Sequence, residues 1–152
     1  HFKSKEDLVG EALIRLIDGA MDYLAQLDAG LSPKGQLAAL LEWALRVRLE
    51  GGLPFLPSTS AHVREMLMRN LKYVTRVLKL NGQLEKLVIN AQKQGEFDAS
   101  LPSDVILFSY YARTCDPAVE YLQLFSKMSN DQVVQHMLRV AFDGFNAIST
   151  KD

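Results

Sequence analysis

Apolar residues recur at intervals of three and four along almost the whole chain, and no stretch alternates with the period of two that marks a strand. The pattern predicts an all-α protein. The first helix runs from about Lys5 to about Gln26, with Leu8, Ala12, Leu13, Leu16, Ile17, Ala20, Met21 and Leu24 on one face. Ser4 is its expected N-cap, and Asp7 stands three residues on, where a capping box usually has Glu or Gln. Gly30 ends this helix. Ser32 and Pro33 open the second as cap and first-turn proline, and Gly51-Gly52 stops it.

No proline interrupts residues 61–94, a run too long for one ordinary helix. The expected break lies near Arg69 or Asn70, giving a short helix and a long one that ends at Gly95. Pro102 opens the next segment, Asp116-Pro117 kinks or splits it, and Ala118 to Met128 resumes it. Ser129 or Asn130 caps the last helix. That helix is apolar over a wide arc. Val134, Met137, Leu138, Ala141 and Phe145 form one face, which Val133, Val140 and Gly144 widen. One stripe suffices for a helix with a wet side, so the second is expected to face a partner. Tyr121 and Phe125 on the preceding segment join that expected dimer interface.

Composition narrows the function classes. A chain of 152 residues fits one domain and can bury about 70% of its unfolded surface without a disulfide or metal staple. Its 48% hydrophobic and 23% charged residues are ordinary for a globular protein. A formal net charge of −1 gives no bulk attraction to nucleic acid or anionic membrane. There is one cysteine, Cys115, no signal-peptide pattern and no apolar run long enough to span a bilayer, which points to the cytoplasm and to no membrane partner.

The opening His1-Phe2-Lys3-Ser4-Lys5-Glu6-Asp7-Leu8 resembles the end of the helix-turn-helix headpiece of the tetracycline-repressor family, where an aromatic and His-Phe segment leads into a Ser-Lys-Glu-x-Leu helix start. The Ala91-Gln92-Lys93-Gln94-Gly95-Glu96-Phe97 turn and the closing Ala141-Phe142-Asp143-Gly144-Phe145 are similar to features of that family's regulatory domain. The resemblance implies a homodimeric one-component regulator, in the first instance a repressor, with most of its headpiece missing from this chain. Residues 1–7 would be the end of the headpiece and start of the connecting helix, residues 8–148 the ligand-binding and dimerisation bundle, and residues 149–152 a frayed tail. The last two helices would form the interface. Operator DNA would be a partner of the intact protein only. The family's operator-phosphate lysine falls on Lys5, where a cation at a helix N-terminus also suits a phosphate on physical grounds. His1 is a weaker candidate for the same contact. The plain alternative is an exposed first-turn lysine.

The implied effector is a small, largely apolar or aromatic molecule. Candidate contacts are Trp43, Tyr73 and Tyr111, each a broad apolar face with a polar handle, followed by Phe55, Met66, Phe108 and Tyr110. Asn70, Thr75 and Arg113 could orient it; each aromatic could equally be packing. Lys72, Arg76, Lys79 and Lys86 share one side of the long helix and read as its solvated face. His62 and Met66 lack a third metal-ligating neighbour, and Ser58, Thr59 and Ser60 suit caps better than nucleophiles, so neither a metal, a cofactor nor an enzyme activity is expected. Cys115 reads as an inert thiol. Two rival classes remain open: a small helical carrier or enzyme using the same apolar pocket, and a purely structural helical dimerisation module.

Overall fold

The computed structural model describes residues 4–51 and 61–147. Within them the chain is all-α, with seven helices and no strand: α1 (Lys5–Gln26), α2 (Pro33–Leu49), α3 (Ala61–Arg69), α4 (Leu71–Lys93), α5 (Ser103–Thr114), α6 (Ala118–Phe125) and α7 (Asn130–Asp143). His1, Phe55 and the Ser58–Ser60 cap candidates lie outside the described residues.

Local chemistry places the ends. Ser4 Oγ accepts from the Asp7 N–H, Ser32 Oγ from Gly35, and Asn70 Oδ1 from Tyr73. Ser129 and Gln132 form a reciprocal capping box. Each such cap stabilises a helix start by about 1 kcal/mol. The break at Asn70 follows from this: its side chain caps the helix after it while its own N–H still bonds Leu67 at the end of the helix before it. At the far end of α4, Gly95 has a φ of +78°. Its N–H bonds the Gln92 carbonyl, and the Glu96 N–H bonds that of Ala91, the paired closure that a left-handed residue permits.

Two helices make the interior. α2 packs against α1, α4, α5 and α7, and α4 against α1, α2, α3 and α5. α2 is apolar around most of its circumference because it meets neighbours on so many sides. Leu37, Leu41 and Leu45 of α2 meet Leu84 and Val88 of α4, Leu107 of α5, Val119 of α6, and Val133 and Val134 of α7 in one core. No polar residue among the described ones is fully buried. α1 lies along α4 in the same sense. Gly10 sits against Asn70, where an added Cβ would stand 3.1 Å from Nδ2. Lys72 then reaches Glu11 at 3.8 Å, and Arg76 reaches Asp18 at 2.8 Å. Part of the basic side of α4 therefore ties down α1 instead of facing only water.

The wide apolar arc of α7 has a different use from the one expected of it. Val134 and Met137 belong to the chain's own core, and Leu138 and Ala141 pack against it. α7 packs on both α2 and α6, so one helix with two neighbours buries two stripes within a single chain. Phe145, just past the helix, is 92% exposed, and Tyr121 and Phe125 on α6 are exposed too.

Candidate functional site

Among the described residues, two of the hollows in the bundle bear on the candidate residues. The larger, about 410 Å³, lies between α5 and the C-terminal end of α7, with Leu37 and Val88 beneath it. Phe97 and Phe142, stacked with centroids 6.3 Å apart, are part of its wall. Its polar groups are few: Ser109, Asp98 and Arg113. Arg113 donates to Asp116 at 2.9 Å, and Asp98 accepts from both the N–H and the hydroxyl of Ser100, which holds its carboxyl below the usual range. Gln92 donates to the carbonyls of Asp98 and Leu101, two of the lining residues.

The smaller hollow, about 280 Å³, sits under the first turns of α1 and is lined by Asp7, Gly10, Met66, Leu67, Arg69 and Asn70. Anything held there touches both the start of α1 and the joint between α3 and α4.

The aromatic candidates separate. Tyr110 lines the larger hollow, but its hydroxyl proton is already donated to the Leu37 carbonyl at 2.8 Å. Met66 lines the smaller one. Trp43 stacks on Tyr23 at 5.7 Å, with its ring edge over Gly19 of α1, and lines neither. Tyr111 donates to Asn81 Oδ1 at 2.8 Å and also lines neither. Tyr73 stands near Tyr111 and Cys115, half-buried and likewise away from both hollows. Phe108 is 61% exposed on the outer side of α5. Of the three polar candidates, Asn70 is a cap that also lines the smaller hollow, Thr75 bonds back to the Leu71 carbonyl, and Arg113 is paired. Lys5 is exposed in the first turn of α1, as a phosphate contact requires.

Sequence reasoning did not find Phe97 and Phe142 as a pair. They are far apart along the chain, and no local pattern links them. Nor did it find Arg48, whose guanidinium donates to the Thr114 and Asp116 carbonyls and to Glu120 at the joint between α5 and α6. An arginine near the end of an apolar helix gives no sign of a partner so distant in sequence.

The tyrosines make a pH prediction. Burial, and secondarily Tyr73, pushes the Tyr111 phenol up to about 12. Burial likewise raises Tyr110 and Tyr73. These acids are held neutral in the fold, with values above the unfolded 10.0. The stability this contributes is complete below pH 10 and disappears as pH rises toward about 12. Urea midpoints should therefore fall across that window, and less steeply for Tyr111→Phe. An equal fall in both chains would show that Tyr111 carries none of it.

No family model, curated protein or solved structure matches this chain. Among the described residues there is no cluster of three metal-capable side chains, and no helix is long and apolar enough to cross a membrane.

Proposed function

We propose that this chain is the effector-binding and dimerisation part of a one-component transcriptional regulator of the tetracycline-repressor type, most simply a repressor. Its operator contacts depend on a headpiece preceding His1, with Lys5 adding a phosphate contact. The observation that carries the reading is the setting of α1. This 22-residue helix opens on an exposed, Ser4-capped first turn, and it is tied along α4 by Glu11–Lys72 and Asp18–Arg76. A rigid helix held in this way transmits a displacement of the α3–α4 joint to whatever precedes it. The smaller hollow supports an effector at that joint. Met66 and Leu67 offer apolar contact to a small, largely apolar or aromatic molecule, and Asn70 can orient it. An effector that prefers one arrangement of the joint shifts the population of α1 positions, by no more than its difference in affinity for the two.

The coding sequence upstream of His1 tests the class. A helix-turn-helix there supports it, and a start codon placed directly at His1 overturns it. For the effector, thermal stabilisation is measured across a library of small aromatic molecules. A compound at a hundred times its Kd stabilises by about 2.7 kcal/mol. The effect should be lost in Met66→Ala. Stabilisation that survives in Met66→Ala would place the effector elsewhere.

A further inference from the structure

The smaller hollow carries two opposite charges that do not meet. Asp7 of the first turn of α1 and Arg69 of the last turn of α3 both line it. Their side chains form no ion pair or hydrogen bond with each other or with any other described residue. The helix dipoles favour each charge at its own helix end. They do not account for both bordering one hollow unpaired.

Asn70 adds a donor. Its Oδ1 accepts from the Tyr73 N–H, which fixes the other amide atom as Nδ2. That Nδ2 has no acceptor among the described residues. It lies beside Gly10, a buried position inside α1 where alanine would suit the helix better. A Cβ on Gly10 would stand 3.1 Å from Nδ2, so the missing side chain leaves the amide its room. The hollow thus presents a carboxylate, a guanidinium and an unused amide donor beside Met66 and Leu67.

A ligand that satisfies all of these carries an ammonium, which only donates, and a carboxylate, which only accepts. Its remainder is apolar. A neutral molecule leaves both protein charges unpaired, and a singly charged one leaves one. The volume, about 280 Å³, lies just below the roughly 300 Å³ at which pockets for drug-sized molecules begin. A hollow this small favours the shortest separation of the two ligand charges, a single carbon.

We infer that the effector of this hollow is a free α-amino acid with an apolar side chain. Arg69 and Asn70 Nδ2 hold its carboxylate, Asp7 holds its ammonium, and Met66 and Leu67 meet its side chain. The inference rests on the effector reading above and narrows the ligand class. Such a molecule ties the first turn of α1 to the α3–α4 joint through charges on both, so its arrival fixes one against the other.

Isothermal titration of the 152-residue chain with L-leucine and L-phenylalanine should show binding. Hydrocinnamate lacks the ammonium and phenethylamine the carboxylate, and each should bind at least about ten-fold more weakly than L-phenylalanine. That is the low end for charge-assisted hydrogen bonds, because Asp7 and Arg69 are exposed. Arg69→Gln should weaken L-phenylalanine about ten-fold and leave phenethylamine unchanged. Asp7→Asn should weaken L-phenylalanine equally and leave hydrocinnamate unchanged. Helical circular dichroism should be unaltered in both variants. Half-ligands that bind as tightly as L-phenylalanine overturn the zwitterion, and variants without effect overturn its placement. If neither amino acid binds while an aromatic compound stabilises the chain through Met66, the inference falls and the effector reading stands. If nothing binds through Met66, both fall.

Discussion

Replacing Leu84 by alanine should lower the stability of the chain by about 3–4 kcal/mol, the middle of the range for buried leucines. Leu84 is 1% exposed and lies mid-way along α4, the helix that meets α1, α2, α3 and α5. The side chain loses its burial, and the space it leaves cannot close. The cost of such a cavity depends on how far the walls can relax. Here α4 is pinned to α1 by Lys72 and Arg76, capped at its start by Asn70 and closed at its end by the Gly95 turn. The comparison is Leu78 on the same helix, which is 65% exposed. Leu78→Ala should fall within about 0.5 kcal/mol of wild type, as surface substitutions do. Urea unfolding measures both: the Leu84 variant should lose midpoint with little change in slope. A Leu84→Ala loss below that of Leu78→Ala would mean that the centre of the bundle lies elsewhere.

The contrast between these leucines shows what the sequence could and could not convey. Helix existence and ends were legible because their causes are local. Ser4, Ser32, Asn70 and Ser129 each sit three residues before the N–H they cap, and the prolines at 33, 102 and 117 each stand at or just before a helix start. The division at Asn70 could be anticipated without any knowledge of packing. What a stripe packs against is not local. Leu84 and Leu78 belong to the same run of apolar residues, and only the arrangement of α2 and α5 around α4 makes one core and the other surface.

The same limit explains the aromatic residues. Tyr111 and Trp43 have the size and polar handle of ligand contacts, but Asn81 and Tyr23 occupy those faces from within the chain. A polar handle signals that a partner exists, not whether the partner is a ligand or a neighbouring helix. On α7 the width of the apolar arc was readable, whereas its meaning depended on whether α6 returns to cover it. It does, because the chain turns at Asp116-Pro117. That turn leaves apolar residues of α5 and α6 exposed, Phe108, Tyr121, Leu124 and Phe125 among them.

Arg48→Met should cost about 2–3 kcal/mol, at or just below the range for breaking a buried ion pair by removing one partner. The Arg48 guanidinium donates to the Thr114 carbonyl at 2.9 Å, to the Asp116 carbonyl at 3.1 Å and to Glu120 Oε1 at 2.5 Å, so one side chain on α2 satisfies three acceptors at the α5–α6 turn. Its side chain is 11% exposed and that of Glu120 39%, so water can recover part of the loss on the carboxylate side, which is the reason for a value no higher. Met keeps the apolar stem and removes the donors, leaving the Thr114 carbonyl and the carboxylate unpaired, while the Asp116 carbonyl keeps the Val119 N–H. Glu120 Oε2 is already buried without a hydrogen-bond partner among the described residues, so the carboxylate has little other support. Arg48→Lys should recover less than half, because one ammonium cannot reproduce a planar fork over two carbonyls and a carboxylate. Arg48→Met combined with Glu120→Met should be more stable than Arg48→Met alone, since removing both charges leaves no buried ion unpaired. A double-mutant cycle by urea unfolding reads this directly. A coupling near zero would mean that the turn holds itself and that Arg48 only decorates it. A coupling of expected size would make Arg48 the link by which the core helix α2 fixes the direction of α6, and with it the position of the exposed Tyr121, Leu124 and Phe125.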